Sequence, residues 1–120
     1  MKQTYPLELF NSSVAAGAAP TTTSSYSLPE GGLFEKLGLY VQYTPANPGN
    51  QLTITALWEN LYSGGIQLES FVNPSATPIV GDCVVTACNP GGAWRMTLLV
   101  SSTGSGNDTL RIVAAANYEP

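Results

Sequence analysis

Side chains able to move a proton are scarce in this chain. The chain contains no histidine, which leaves Glu59, Glu69, Asp82 and Asp108 as the acid-base candidates, most of them at strand ends or in loops. Serine and cysteine nucleophiles normally depend on an adjacent base, usually histidine, so triad-type hydrolysis has no proton acceptor here. Glycoside hydrolysis needs two carboxyl groups roughly 5 to 10 Å apart across a cleft. No two of these four share a strand at an in-register spacing, and they read as solvated loop and face charges. No catalytic residue is assigned.

Cys83 and Cys88 stand five apart. Two cysteines in a chain large enough to carry its own core point to a reducing compartment and free thiols. The first reading is small buried thiols, with a strained local disulfide as the alternative. Zinc usually takes four ligands, and the chain lacks histidine. Calcium would draw on Asn107-Asp108 and Gly81-Asp82, well short of the roughly six to eight oxygens a good site needs. Gly31-Gly32, Gly64-Gly65 and Gly91-Gly92 lack the lysine or helix of a phosphate-binding loop and read as turns. Neither a metal nor a cofactor is expected.

Trp58 and Trp94 could form a sugar-stacking platform, but each continues the inward alternation of its strand, and core placement is the first reading for both. The polar loops around them still suit a hydroxyl-rich ligand. Asn47, Asn50, Asn60, Tyr62, Trp94 and Asn107 are the candidate contacts.

The elements that must position these residues are strands. Turn signals such as Pro45-Ala46-Asn47-Pro48-Gly49-Asn50, Asn89-Pro90-Gly91-Gly92 and Gly104-Ser105-Gly106-Asn107-Asp108 recur every ten to fifteen residues or so, with period-two runs between them. Leu52, Ile54, Ala56 and Trp58 share one face of a strand with Thr53 and Thr55 on the other. Trp94, Met96, Leu98 and Val100 form a second inward set, and Leu110, Ile112 and Ala114, opposite Arg111, a third. Leu37, Leu39, Val41 and Tyr43 mark a fourth strand, Ile66 to Phe71 and Ile79 to Val85 two weaker ones, and Tyr26 to Leu28 an edge. Only Val14 to Ala19 and Leu33 to Leu37 could form a helical turn. The expected fold is all-β, a single β-sandwich or jelly-roll-like domain over 24–120, preceded by an extended N-terminal arm over 1–23.

The arm carries Tyr5, Leu7, Leu9 and Phe10, followed by a Ser, Ala, Gly, Pro and Thr stretch. Pro6 and Glu8 interrupt the apolar run that a signal peptide would need, so the segment reads as mature sequence. Bulky apolar side chains on an arm tend to mark an association site, and these four are the expected assembly interface with an adjacent subunit, the alternative being that they lie on the chain's own domain.

Composition narrows the partners. Across 120 residues only 10% are charged, against about a quarter in typical domains, with a net charge of −4. Hydroxyls and amides supply the polarity, and such a surface costs less to desolvate than one of lysines and glutamates. The four basic residues form no patch for a phosphate backbone, so nucleic acid is not an expected partner. No apolar run approaches the roughly 20 residues of a spanning helix, and no membrane contact is expected.

In its Ser/Thr-rich lead-in, its strands Lys36 to Tyr43 and Gln51 to Asn60, and its closing Asp108 to Ala115, the chain resembles small virion proteins of tailed bacteriophages. The likeness spans most of Thr21 to Tyr118. It is one of texture and transfers no functional residue. It implies a non-enzymatic capsid decoration or cement protein, made in the host cytoplasm and carried on the virion. The implied partners are the major capsid protein or other virion proteins, with homo-oligomers, trimers among them, expected. The alternative from a different class is a glycan-binding module of a tail fibre or secreted protein, using loops 44–51, 59–65 and 101–108.

Overall fold

The computed structural model describes residues 3–27, 33–60, 66–72, 81–88 and 93–119. They form nine strands: β1 (Gln3–Ala15), β2 (Thr21–Thr22), β3 (Tyr26–Ser27), β4 (Leu33–Thr44), β5 (Gln51–Asn60), β6 (Ile66–Val72), β7 (Gly81–Cys88), β8 (Ala93–Thr103) and β9 (Asn107–Glu119). The all-β expectation is met. Leu33 to Leu37, considered for a helical turn, lies inside β4, and the chain bends at Ala16 and Gly17 directly after β1.

One sheet has the order β1-β9-β4-β7, and the other has the order β2-β8-β5-β6 with β3 also on β8. Every pairing is antiparallel. Across the two sheets the pairs nest: β1 with β9, β2 and β3 with β8, β4 with β7, and β5 with β6. A long hairpin folded back over itself gives this nesting, and two Greek keys wound this way make a jelly roll. The sandwich expected from alternation is therefore specifically a jelly roll, a distinction that alternation alone does not encode.

Residues of both inner faces make the core. Leu39, Val41, Leu110, Ile112 and Ala114 pack from the first sheet against Leu52, Ile54, Ala56, Trp58, Met96, Leu98 and Val100 of the second, all fully buried. Burying each large apolar side chain contributes roughly 1.5–3 kcal/mol, which is why the period-two stripes settle inward. Thr23 bridges the short strands β2 and β3. Its N–H donates to Leu98 O (2.9 Å), and Leu98 N–H donates to its Oγ1 (3.2 Å).

The arm expected over 1–23 is corrected by β1. Residues 3–15 run antiparallel along β9 from Gln3 opposite Tyr118 to Ala15 opposite Asn107. Register shifts between Glu8 and Phe10, so Leu9 is an extra residue in a bulge, and its side chain is buried. Leu7 and Phe10 pack against the same core and Val14 is buried within it. These apolar residues lie on the chain's own domain; the side chain of Tyr5 lies outside the described set.

Cys83 and Cys88 lie in β7, which pairs with β4 without a register shift from Lys36 opposite Cys88 to Tyr43 opposite Gly81. Five residues of extended strand separate their Cα atoms by about 16 Å. A disulfide requires about 4.4–6.8 Å. The local bridge held open above is therefore incompatible with this strand.

Candidate functional site

The structure divides the expected ligand residues between opposite ends of the sandwich. Asn47, Asn50 and Asn107 belong to the end where β4 turns into β5 and β8 into β9. Asn60 and Trp94 belong to the other, where Asn60 pairs with Ala93. Tyr62 and the side chain of Asn60 lie outside the described residues. The five described positions do not form one contiguous surface.

At the first end the amides of Asn47 and Asn50 are engaged internally. Asn47 Nδ2 donates to Ser105 O (2.7 Å) and to Ser105 Oγ (3.0 Å), and Asn50 Nδ2 donates to Ser105 O (2.9 Å) and to Asp108 Oδ1 (2.8 Å). Asp108, expected as a solvated charge, is fully buried. It accepts from Tyr43 Oη (2.6 Å), from Ser102 Oγ and from the backbone N–H of Ala46 (2.8 Å), besides Asn50. Burial raises the carboxyl's pKa, but the donors from Ser102, Tyr43, Ala46 and Asn50 outweigh it and hold it below its ordinary value. Tyr43 is pushed up to about 12 by burial and by the neighbouring carboxylate. Ala16 and Gly17 add backbone bonds to Gly106 O (2.9 Å) and Ser102 O (2.7 Å), so the β1–β2 corner closes on the same cluster. With its lone pairs occupied by four donors, Asp108 serves as a pin between loops rather than as an acid or base.

Its position was legible in the alternation. Asp108 extends the inward set of Leu110, Ile112 and Ala114 by one step, as Tyr43 extends Leu39 and Val41, and Ser102 extends Leu98 and Val100. Three polar residues thus occupy the last inward place of three strands, where the core needs a polar end.

At the opposite end Trp94 departs from its expected core position. Glu59 pairs with Arg95 and Asn60 with Ala93, which leaves Trp94 as the extra residue of a bulge. Ala93 takes the buried place, while Trp94 is 37% exposed and Trp58, across the ladder, is 0% exposed. The guanidinium of Arg95 lies over the Trp94 ring, 4.7 Å from its centroid. The same guanidinium grips Glu59 with two donors, Nε to Oε2 and Nη2 to Oε1 (2.8 Å). Those hydrogen bonds hold Glu59 below the usual carboxylate range and raise Arg95. No local residue pattern marks this bulge; only the pairing with β5 reveals it.

Glu69 and Asp82 lie in β6 and β7, with their side chains outside the described set. Among the described residues no cluster of three or more His, Cys, Asp or Glu could hold a metal ion, and no helix is long and apolar enough to cross a membrane.

Neither a protein-family model nor a curated protein sequence matches the chain. Solved structures do. The chain is similar to VP2 in a subviral particle of infectious bursal disease virus, with a TM-score of 0.64, 14% identity, and coverage of 97% of this chain and 32% of that one. The Gx strain of the same virus gives a TM-score of 0.64, 14% identity, and coverage of 98% and 33%. The protein FLHE gives a TM-score of 0.58, 10% identity, and coverage of 99% and 98%. The chain spans about a third of the length of the viral chains it matches. At these identities the likeness is one of fold.

Proposed function

We propose that this jelly roll is a non-enzymatic structural protein of a virion, decorating or cementing a capsid through contacts with the major capsid protein or other shell subunits, itself as a homo-oligomer. The observation that carries the reading is the nested strand order, superposing over 97% of the chain on one part of a protein solved as a particle. A surface with few charges supports it, since covering uncharged hydroxyls and amides costs less desolvation than covering ions. Many identical copies on a shell need little affinity each, because multivalent attachment supplies the rest.

The role of Tyr5 to Phe10 changes under this reading. As part of β1 they stand at the outer edge of the first sheet, so assembly through this segment would proceed by strand addition to β1 rather than by a free arm. The test is to purify particles on a density gradient from cells producing the chain in its native genetic setting and to quantify it by peptide mass spectrometry. A fixed ratio to the shell protein across the particle band is expected. Recovery only in the soluble fraction overturns the reading.

A further inference from the structure

We infer that Trp94, with Arg95 and Glu59, forms a stacking subsite for a neutral saccharide, a binding function separate from the proposed shell contacts. The bulge carries the first step. Ala93 fills the inward place, so the core does not require the indole, and the chain nevertheless sets one of its two tryptophans partly outside. The second step is rigidity. Arg95 lies over one side of the ring and is itself fixed by two hydrogen bonds to Glu59, so little side-chain freedom remains to be lost when a ligand arrives.

Charge selects the ligand. Arg95 and Glu59 neutralise each other, so an anion finds a cation already satisfied, and a cation approaching the ring meets the guanidinium at 4.7 Å. A planar apolar face bearing hydroxyls fits what remains. The C–H face of a pyranose can stack on the indole face opposite the guanidinium, with its hydroxyls left toward solvent around the ring. Thr97 and Ser25, joined Oγ1 to Oγ at 3.0 Å, continue a hydroxyl surface along β8.

The test is a printed array of neutral oligosaccharides probed with the full chain, followed by fluorescence titration of each oligosaccharide that binds. Trp58 is fully buried, so a ligand stacking at this site perturbs the Trp94 emission. Trp94→Ala is expected to weaken binding about tenfold, and Trp94→Tyr, which keeps a ring, by about threefold or less. Unchanged thermal melts of both variants establish that the fold is intact. Absence of any array signal above a blank protein, or affinity unchanged in Trp94→Ala, overturns the inference. Failure of the array with loss of particle association in Trp94→Ala would reassign the indole to a protein contact. Saccharide binding by a chain absent from particles would leave this inference standing and overturn the virion reading.

Discussion

Tyr43 Oη donates to Asp108 Oδ2 across 2.6 Å, at one end of the apolar core of the sandwich. Ser102 of the facing sheet reaches the same oxygen, so one carboxylate ties together the two sheets and two chain reversals, β4–β5 and β8–β9.

That contact predicts a stability plateau bounded on both sides. The folded-state pKa of Asp108 is depressed, so its contribution is present above the unfolded value of about 4 and is lost as pH falls through the folded one. The folded-state pKa of Tyr43 is raised to about 12, so its contribution is present below the unfolded value near 10 and is lost as pH rises toward 12. Urea midpoints measured across pH should be flat between about 4 and 10 for these two groups and fall outside that range. Asp108→Ala, which leaves four donors without their acceptor, should cost roughly 3–5 kcal/mol at neutral pH and remove the acid-side dependence due to this group. A melt within about 0.5 kcal/mol of the parent would show that the pin is dispensable.

Gly104 and Asn50 define a second prediction. Gly104 has φ of +113°, and a Cβ there would lie 1.8 Å from Asn50 Oδ1. Gly104→Ala therefore combines an unfavourable backbone with displacement of an amide that binds Ser105 and Asp108, and should cost about 2–4 kcal/mol. In a double-mutant cycle with Asn50→Ala the two losses should be clearly less than additive, because the second change removes the clash of the first. Additive losses would place the whole effect in the backbone.

Most of the fold was legible in the residues. The stripes Leu52 to Trp58, Met96 to Val100 and Leu110 to Ala114 went inward as alternation requires, because each alternate side chain shares one face. The failures have a common cause. Leu9 and Trp94 each sit at a bulge, where one extra residue breaks the period of two, and a bulge is a property of two paired strands rather than of one sequence window. The first fifteen residues read as an arm because Pro6, Glu8 and the bulge at Leu9 obscure a stripe that only the partner β9 makes visible. Asn47 and Asn50 read as ligand contacts because their partners, Ser105 and Asp108, are more than fifty residues away in the chain.

The two tryptophans should separate cleanly under substitution. Trp58→Ala empties a fully buried site and should cost roughly 3–5 kcal/mol. Trp94→Ala removes an exposed ring and its contact with Arg95, for about 1 kcal/mol or less. Chemical denaturation of both variants checks this, and a comparable loss at both positions would place Trp94 in the core after all.

Cys83 and Cys88 should both titrate with a thiol reagent in the denatured chain, and reduction should leave the intact mass unchanged. Their placement in one continuous strand requires that outcome. A mass gain of about 2 Da on reduction, the signature of one intrachain bridge, would mean that β7 is broken between them.

Removal of residues 1–20 distinguishes a strand from an arm. A free arm could be cut away to leave a folded domain that fails only to assemble. As β1, however, residues 3–15 supply Leu9 and Val14 to the core and hydrogen-bond to β9, whose inward residues Leu110, Ile112 and Ala114 are fully buried. Losing β1 strips one side of β9 of its ladder and uncovers part of that stripe, with each buried large apolar side chain contributing roughly 1.5–3 kcal/mol. Since domains of this kind are stable by only about 5–15 kcal/mol, the truncated chain should lose its cooperative thermal transition. Calorimetry on the truncated and full chains makes the comparison, and an unchanged transition in the truncated chain would restore the arm and remove β1 from the sandwich.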